Sequence, residues 1–196
     1  GHLSGFELYY EFIDGAPMGR HELSVYPRSA DDPVRRDLMW SPADWAWIGG
    51  LINCLFAFWY HGIPLVGHRA RKFEPQAAMQ MMADLGIRNT FLPPTALKLM
   101  RQANVTNPGL KLRSIFTGGE SLGGELHGWV RETFGIDAHE VFGQTECNLV
   151  IGSNSNLFPI RPGSMGKATP GFDVRIVNDS GEDRPIRLYG TAYVGP

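Results

Sequence analysis

Apolar residues recur at helical spacing in several stretches of this chain, and short continuous apolar runs separate them. Leu3, Phe6, Tyr9 and Tyr10 share one face of a helix predicted over His2–Phe12. Ile13–Leu38 shows no period and holds Gly15, Pro17, Gly19, Pro27 and Pro33, so a long loop is expected there. Ser41-Pro42-Ala43-Asp44 reads as a helix start, with Ser41 as cap, Pro42 at the first helical position and Asp44 against the positive end of the dipole. That helix is predicted to run to about Tyr60, with Gly62 as its stop and Ile63–Val66 as a strand.

The next stretch repeats this scheme. Pro75 opens a helix closed by Gly86, and Ile87–Leu92 is a strand ended by Pro93-Pro94. Helix Thr95–Ala103, strand Arg113–Thr117, helix Leu122–Phe134 and strand Ala138–Phe142 follow. Strand and helix alternate at the spacing of βαβ units, which predicts an α/β fold with a mostly parallel sheet covered by helices. Beyond Glu146 the pattern changes. Val174–Val177 and Thr191–Val194 read as strands among Gly, Pro, Asn and Asp, so 1–146 is expected to be the α/β portion and 147–196 a small β region of the same domain.

Composition adds limits. The 196 residues are 43% apolar and 19% charged, which excludes a disordered chain. A net charge of -2, with no basic run beyond Arg35-Arg36, gives no footprint for nucleic acid. Glycine (24) and proline (14) make up about a fifth of the chain, so many tight turns are expected. Cys54 and Cys147 are too few for a disulfide framework, and a reduced cytoplasmic protein is the expected setting. Trp47–Tyr60 is strongly apolar but spans only roughly 21 Å as a helix, against ~30 Å of bilayer core, so a buried helix is expected. The histidines show no metal-binding spacing, and Met79, Met81, Met82 and Met100 read as core.

Two Gly-rich turns follow strands, where open α/β sheets bind ligands. One is Thr117-Gly118-Gly119-Glu120-Ser121-Leu122-Gly123-Gly124. It contains the G-x-S-x-G pattern of a nucleophile elbow, so Ser121 is a candidate hydrolase nucleophile, with only His127 and His139 downstream as bases. Its glycines equally offer a bare backbone surface for a flat ligand. The other is Phe142-Gly143-Gln144-Thr145-Glu146. An aromatic face for a base, a hydroxyl for a phosphate and a carboxylate for Mg²⁺ lie within five residues there.

Phe142–Glu146 resembles the aromatic-Gly-x-Thr-Glu motif of the AMP-forming acyl-CoA synthetases, of the adenylate-forming superfamily. Thr117–Glu120 resembles that family's Gly-rich turn beside adenine. Arg161–Gly171 resembles the segment after the Thr-Glu motif, and Pro42–Trp47 the helix start at the acyl pocket. The likeness covers nearly the whole chain except Asp14–Asp37.

The resemblance implies an enzyme that uses ATP and Mg²⁺ to convert a carboxylic acid to an acyl-adenylate, then passes the acyl group to coenzyme A. Thr145 would contact phosphate and Glu146 would bind Mg²⁺. Phe142 would flank adenine opposite Gly118, Gly119, Glu120 and Ser121, with Gln144 beside the substrate. Gly143 would leave room for an acyl group larger than acetyl, and Trp47 would line its pocket. The family's phosphate loop with its Lys is expected before Gly1. The ribose-binding Asp and the C-terminal domain with its catalytic Lys are expected after Pro196. The chain alone is therefore expected to be inactive. A non-catalytic nucleotide-binding module and the Ser121 hydrolase are the alternatives.

Overall fold

A computed structural model describes residues 37–68 and 70–183, and the backbone of 191–194. The helix expected over 2–12 and most of the loop over 13–38 lie outside these residues.

Four parallel strands make up one side of a six-stranded sheet, with the first at its edge: β1 (Met39–Trp40), β2 (Asn89–Phe91), β3 (Ser114–Gly118) and β4 (Ala138–Gln144). Two further strands, β5 (Asn148–Gly152) and β6 (Lys167–Ala168), extend it antiparallel from β4. A separate antiparallel ribbon joins β7 (Val174–Val177) to β8 (Thr191–Val194). The boundary expected at Glu146 falls at the β4–β5 hairpin tip, inside the sheet.

The crossover helices sit where their sequences call for them. A first short helix, α1 (Ala57–Tyr60), precedes α2 (Pro75–Leu85), α3 (Pro94–Gln102) and α4 (Gly124–Phe134). Pro75 and Pro94 take first-turn positions, where a missing N–H costs nothing. Gly86 (φ 68°) and Gly135 (φ 73°) end α2 and α4 in the left-handed region that glycine enters without penalty. Helices α2 to α4 bury Met79, Met82, Leu97, Met100, Leu126 and Val130 against Ile115 and Ala138. The other face of the sheet buries Met39, Phe91, Phe116 and Val141 under Cys54, Ala57 and Phe58.

The expected helix from Ser41 starts later and is wound differently. Residues 41–47 are turns: Ala43 N–H donates to Ser41 Oγ at 3.0 Å, and Ala46 N–H donates to Asp44 Oδ1 at 2.8 Å. Gly49–Phe56 is π-helical, with Ala57 N–H reaching back five residues to Ile52 O, and it runs directly into α1. A Cβ on Gly50 would stand 2.3 Å from Asp44 O, so the preceding turn can fold onto this stretch only because residue 50 has none. The strand expected over Ile63–Val66 is reduced to one parallel bridge, Leu65 to Met39. No described helix is long and apolar enough to cross a membrane.

Candidate active site

Strands β3 and β4 end side by side, with Gly118 in register with Val141. A Cβ on Gly118 would lie 2.6 Å from Val141 O, so the close approach of these two strand ends needs a glycine. Beyond it, Gly119 (φ 92°) and Gly123 (φ 72°) turn the chain into α4. Two side chains hold this turn. The buried Glu140 carboxylate accepts the Leu122 N–H at 3.0 Å. Glu120 reaches outward, accepting from Thr95 Oγ1 and from Lys98 Nζ at 3.2 Å, and these bonds hold its carboxyl below the usual carboxylate range.

β4 carries the second motif further than expected, through Gln144. The ladder shifts between Phe142 and Gly143, and Cys147 N–H closes the tip onto Gln144 O at 3.1 Å. Asn148 re-enters β5 at φ 62°, a conformation Asn tolerates better than most residues. A Cβ on Gly143 would lie 2.0 Å from Asn148 O. The bulged hairpin therefore demands glycine there, a backbone reason beside the expected one of leaving room at the cavity.

Side chains alternate across a strand, so β4 offers a different surface on each face. Val141 and Gly143 face a cavity of about 450 Å³, which Gly118, Gly119, Gln144, Thr145 and Glu146 also line. Trp47, Ile48, Gly49 and Asn53 close it from the π-helical side, and Phe91, Phe116 and Leu149 form its apolar wall. Trp47 is 42% exposed and its ring lies 5.9 Å from that of Phe91, so it lines the cavity and is not core. The opposite face of β4 carries Glu140 and Phe142. Glu140 receives the Leu122 N–H, so the Gly119–Gly123 turn folds onto the face that Phe142 shares. Phe142, Glu120 and Ser121 are outside the cavity lining.

Thr145 and Glu146 are exposed at the hairpin tip and make no hydrogen bond or ion pair among the described residues. An uncommitted carboxylate at a cavity mouth suits Mg²⁺, a hard ion that takes one or two protein carboxylates and completes its shell with water and phosphate. No described cluster of three or more His, Cys, Asp or Glu side chains could hold a metal alone. A larger hollow of about 1050 Å³, bordered by Trp40, His68, Arg71, Lys72 and Glu74, takes Pro42–Trp45 of the helix-start segment into its wall but none of the residues of the two Gly-rich turns.

The histidines downstream of Ser121 are engaged elsewhere. His127 Nε2 lies 3.7 Å from Asp137, and His139 Nε2 lies 3.0 Å from Ser155 Oγ. Burial pushes the His139 imidazole down to about 4, outweighing Asp137. The sequence reading missed Asn53, Phe91, Phe116, Leu149 and Asn148 as lining residues. Phe91 was signalled by its position at a strand's carboxyl end, and Asn53 by being the one amide or charged residue between Ile48 and Tyr60.

Two glycine-lined strand ends, with a Thr-Glu tip between an apolar cavity and an aromatic face, are the features of an adenylate-forming enzyme. The chain belongs to the AMP-binding enzyme family, whose model matches residues 18–195. It is 32% identical over 164 residues to the human acyl-coenzyme A synthetase ACSM3, mitochondrial, covering 83% of this chain and 28% of that protein. It is also 31% identical over 189 residues to the mouse ACSM5, mitochondrial, covering 92% and 32%. Among solved structures, the Brucella canis acyl-CoA synthetase superposes with a TM-score of 0.72 at 26% identity, over 81% of this chain and 30% of that one. A benzoate CoA ligase from Burkholderia xenovorans LB400 shares the fold, with a TM-score of 0.74 at 18% identity over 97% and 37%. The chain thus spans about a third or less of the curated relatives it matches. With this membership, a Ser121 hydrolase is not favoured.

Proposed function

We propose that this chain forms the acid pocket, the adenine side and the metal carboxylate of an ATP-dependent acid–CoA ligase. The observation that supports this best is the cavity of about 450 Å³ at the ends of β3 and β4, apolar within and rimmed by Gln144, Thr145 and Glu146. In the proposed reaction the acid's tail occupies the apolar wall and its carboxylate meets ATP at the rim. A carboxylate oxygen attacks the α-phosphorus, pyrophosphate leaves, and an acyl-adenylate forms. The thiol of coenzyme A then takes the acyl group and AMP departs.

Such a step rests on positioning and on neutralising charge that develops on phosphoryl oxygens. Thr145 Oγ1 would donate to a phosphate oxygen, and the Glu146 carboxylate would hold Mg²⁺. Bound there, the ion would neutralise phosphate charge. Phe142 and the backbone of Gly118–Ser121 would hold the adenine ring between them. Ile48, Phe91, Phe116 and Leu149 line the cavity with Gly143 and favour an acid larger than acetate. The rest of the site, including a phosphate loop and a Lys-bearing domain, would come from other parts of the protein. Two free thiols suit a reducing compartment, and a cytoplasmic location is proposed on that basis.

The test uses the intact protein with ATP, Mg²⁺, coenzyme A and acids of increasing size. AMP and pyrophosphate should form, with benzoate or another acid larger than acetate preferred. A preference for acetate would refute the pocket assignment. Nucleotide binding without turnover across the whole series would favour a non-catalytic module.

A further inference from the structure

Among the described residues, one side-chain hydrogen bond ties the Thr-Glu tip to the π-helical wall of the cavity. Asn53 Nδ2 donates to Asn148 Oδ1 at 3.2 Å, across 95 positions of sequence. Asn53 is 7% exposed, in the middle of the π-helical stretch, and lines the cavity with Ile48 and Gly49. π-helical turns are rare and occur frequently at functional sites, because the extra residue re-aims a side chain. The widened turn here delivers an amide to the first residue of β5.

Asn148 is itself unusual. It is one of two described non-glycine residues with positive φ, at 62°. It stands opposite Gln144 in the register, and its carbonyl occupies the space that a Cβ on Gly143 would need. Three constraints therefore meet at residue 148: a left-handed backbone, a bulge in the partner strand, and the bond from Asn53. Among the described residues, the bonds made from 145 to 147 are the Cys147 N–H to Gln144 O at 3.1 Å and the weak Cys147 Sγ–H contact to Asn148 O at 3.7 Å, so little orders the tip from within.

We propose that Asn53 is a positioning residue, acting through Asn148 to fix the hairpin tip that carries Thr145 and Glu146. This rests on the reading of the tip as the phosphate and metal side of the site. Because Asn53 also lines the acid cavity, an acid seated there presses on the same turn that holds the tip. Filling the pocket and aligning the phosphate-side groups are thereby coupled through one hydrogen bond.

The first test reads the tip without any reaction. Amide hydrogen exchange at Cys147 is compared in the wild type, Asn53→Ala, Asn148→Gly and Asn148→Asp. Glycine keeps the left-handed backbone but removes the acceptor, whereas aspartate keeps both. Exchange should rise about fivefold in Asn53→Ala and Asn148→Gly, the effect of losing one hydrogen bond of ordinary net strength. It should rise no further in the double variant, and stay near wild type in Asn148→Asp.

The second test is turnover of the intact enzyme. The two acceptor- or donor-deleting variants should lower kcat for acid-dependent pyrophosphate release about tenfold, with the KM for the acid within about twofold. Unchanged exchange at Cys147, or effects of the two single variants that simply add, would overturn the role of Asn53. A wild type that releases no pyrophosphate, with exchange behaving as described, would instead overturn the ligase reading and leave the tie itself standing.

Discussion

Removing the titration of His139 should flatten the acid limb of this protein's stability. His139 is 4% exposed on β4, with Nε2 on Ser155 Oγ, and burial lowers it from 6.5 to about 4. Asp137 nearby favours its charged form and His127 opposes it, so burial sets the direction. The native state holds this ring neutral at a pH where the unfolded chain has already protonated its own. The unfolded state therefore binds more protons between about pH 6.5 and 4, and stability falls as pH falls through that window.

At 1.36 kcal/mol per pH unit, the full loss comes to about 3 kcal/mol. It should be absent above pH 6.5 and complete near pH 4. Urea unfolding of the wild type and His139→Gln at pH 7.5, 6, 5 and 4 isolates this contribution, because every other group titrates in both proteins. Glutamine keeps a polar group near Ser155 and carries no charge. The two stability curves should converge as pH falls, with the gap between them changing by about 3 kcal/mol. Parallel curves would show that His139 is not held neutral and would refute the reasoning.

Other outcomes follow from the packing. Gly143→Ala must move Asn148 or open the bulge, so a loss of about 1–3 kcal/mol in unfolding free energy is expected, together with lower turnover for every acid; a selective loss of large acids alone would make substrate space the whole reason for the glycine. Trp47→Ala should change stability by only about 1 kcal/mol, because the ring is substantially exposed, while shifting the best acid in a size series to a bulkier one. Cys54, buried and pushed up to about 12, should resist a thiol reagent at pH 8 until the protein unfolds, whereas the half-buried Cys147 reacts in the native state.

The α/β core was legible because its signals are local. Proline at the start and glycine at the end mark α2, and the βαβ spacing from Ile87 to Phe142 leaves little choice of topology. The same reading overlooked β1, whose two residues, Met39 and Trp40, are too short to show a period. It also overlooked β5. The left-handed Asn148 and the bulge at Gly143 break the alternation there, and Leu149–Ile151 is too brief to stand out without it.

Winding of Gly49–Phe56 into a π-helix is a tertiary matter, because the apolar spacing suits an α-helix equally well. At the site, both Gly-rich turns, the second with its Thr-Glu tip, were visible as motifs. Their sorting onto two faces of β4 depends on strand register, which a linear pattern carries only through alternation. The backbone need for glycine at 143 was not legible for a related reason: the atom that forbids a side chain there, Asn148 O, belongs to a strand that was not foreseen.

The central claim is that the tip and the cavity of this chain serve formation of an acyl-adenylate. Acid-dependent exchange of labelled pyrophosphate into ATP tests it most directly, using the intact protein and its Glu146→Gln variant. The wild type should exchange label with an acid larger than acetate, and Glu146→Gln should lower the rate about 100-fold with the fold unchanged by circular dichroism. Exchange that does not require the acid, or that is untouched by Glu146→Gln, would contradict the account.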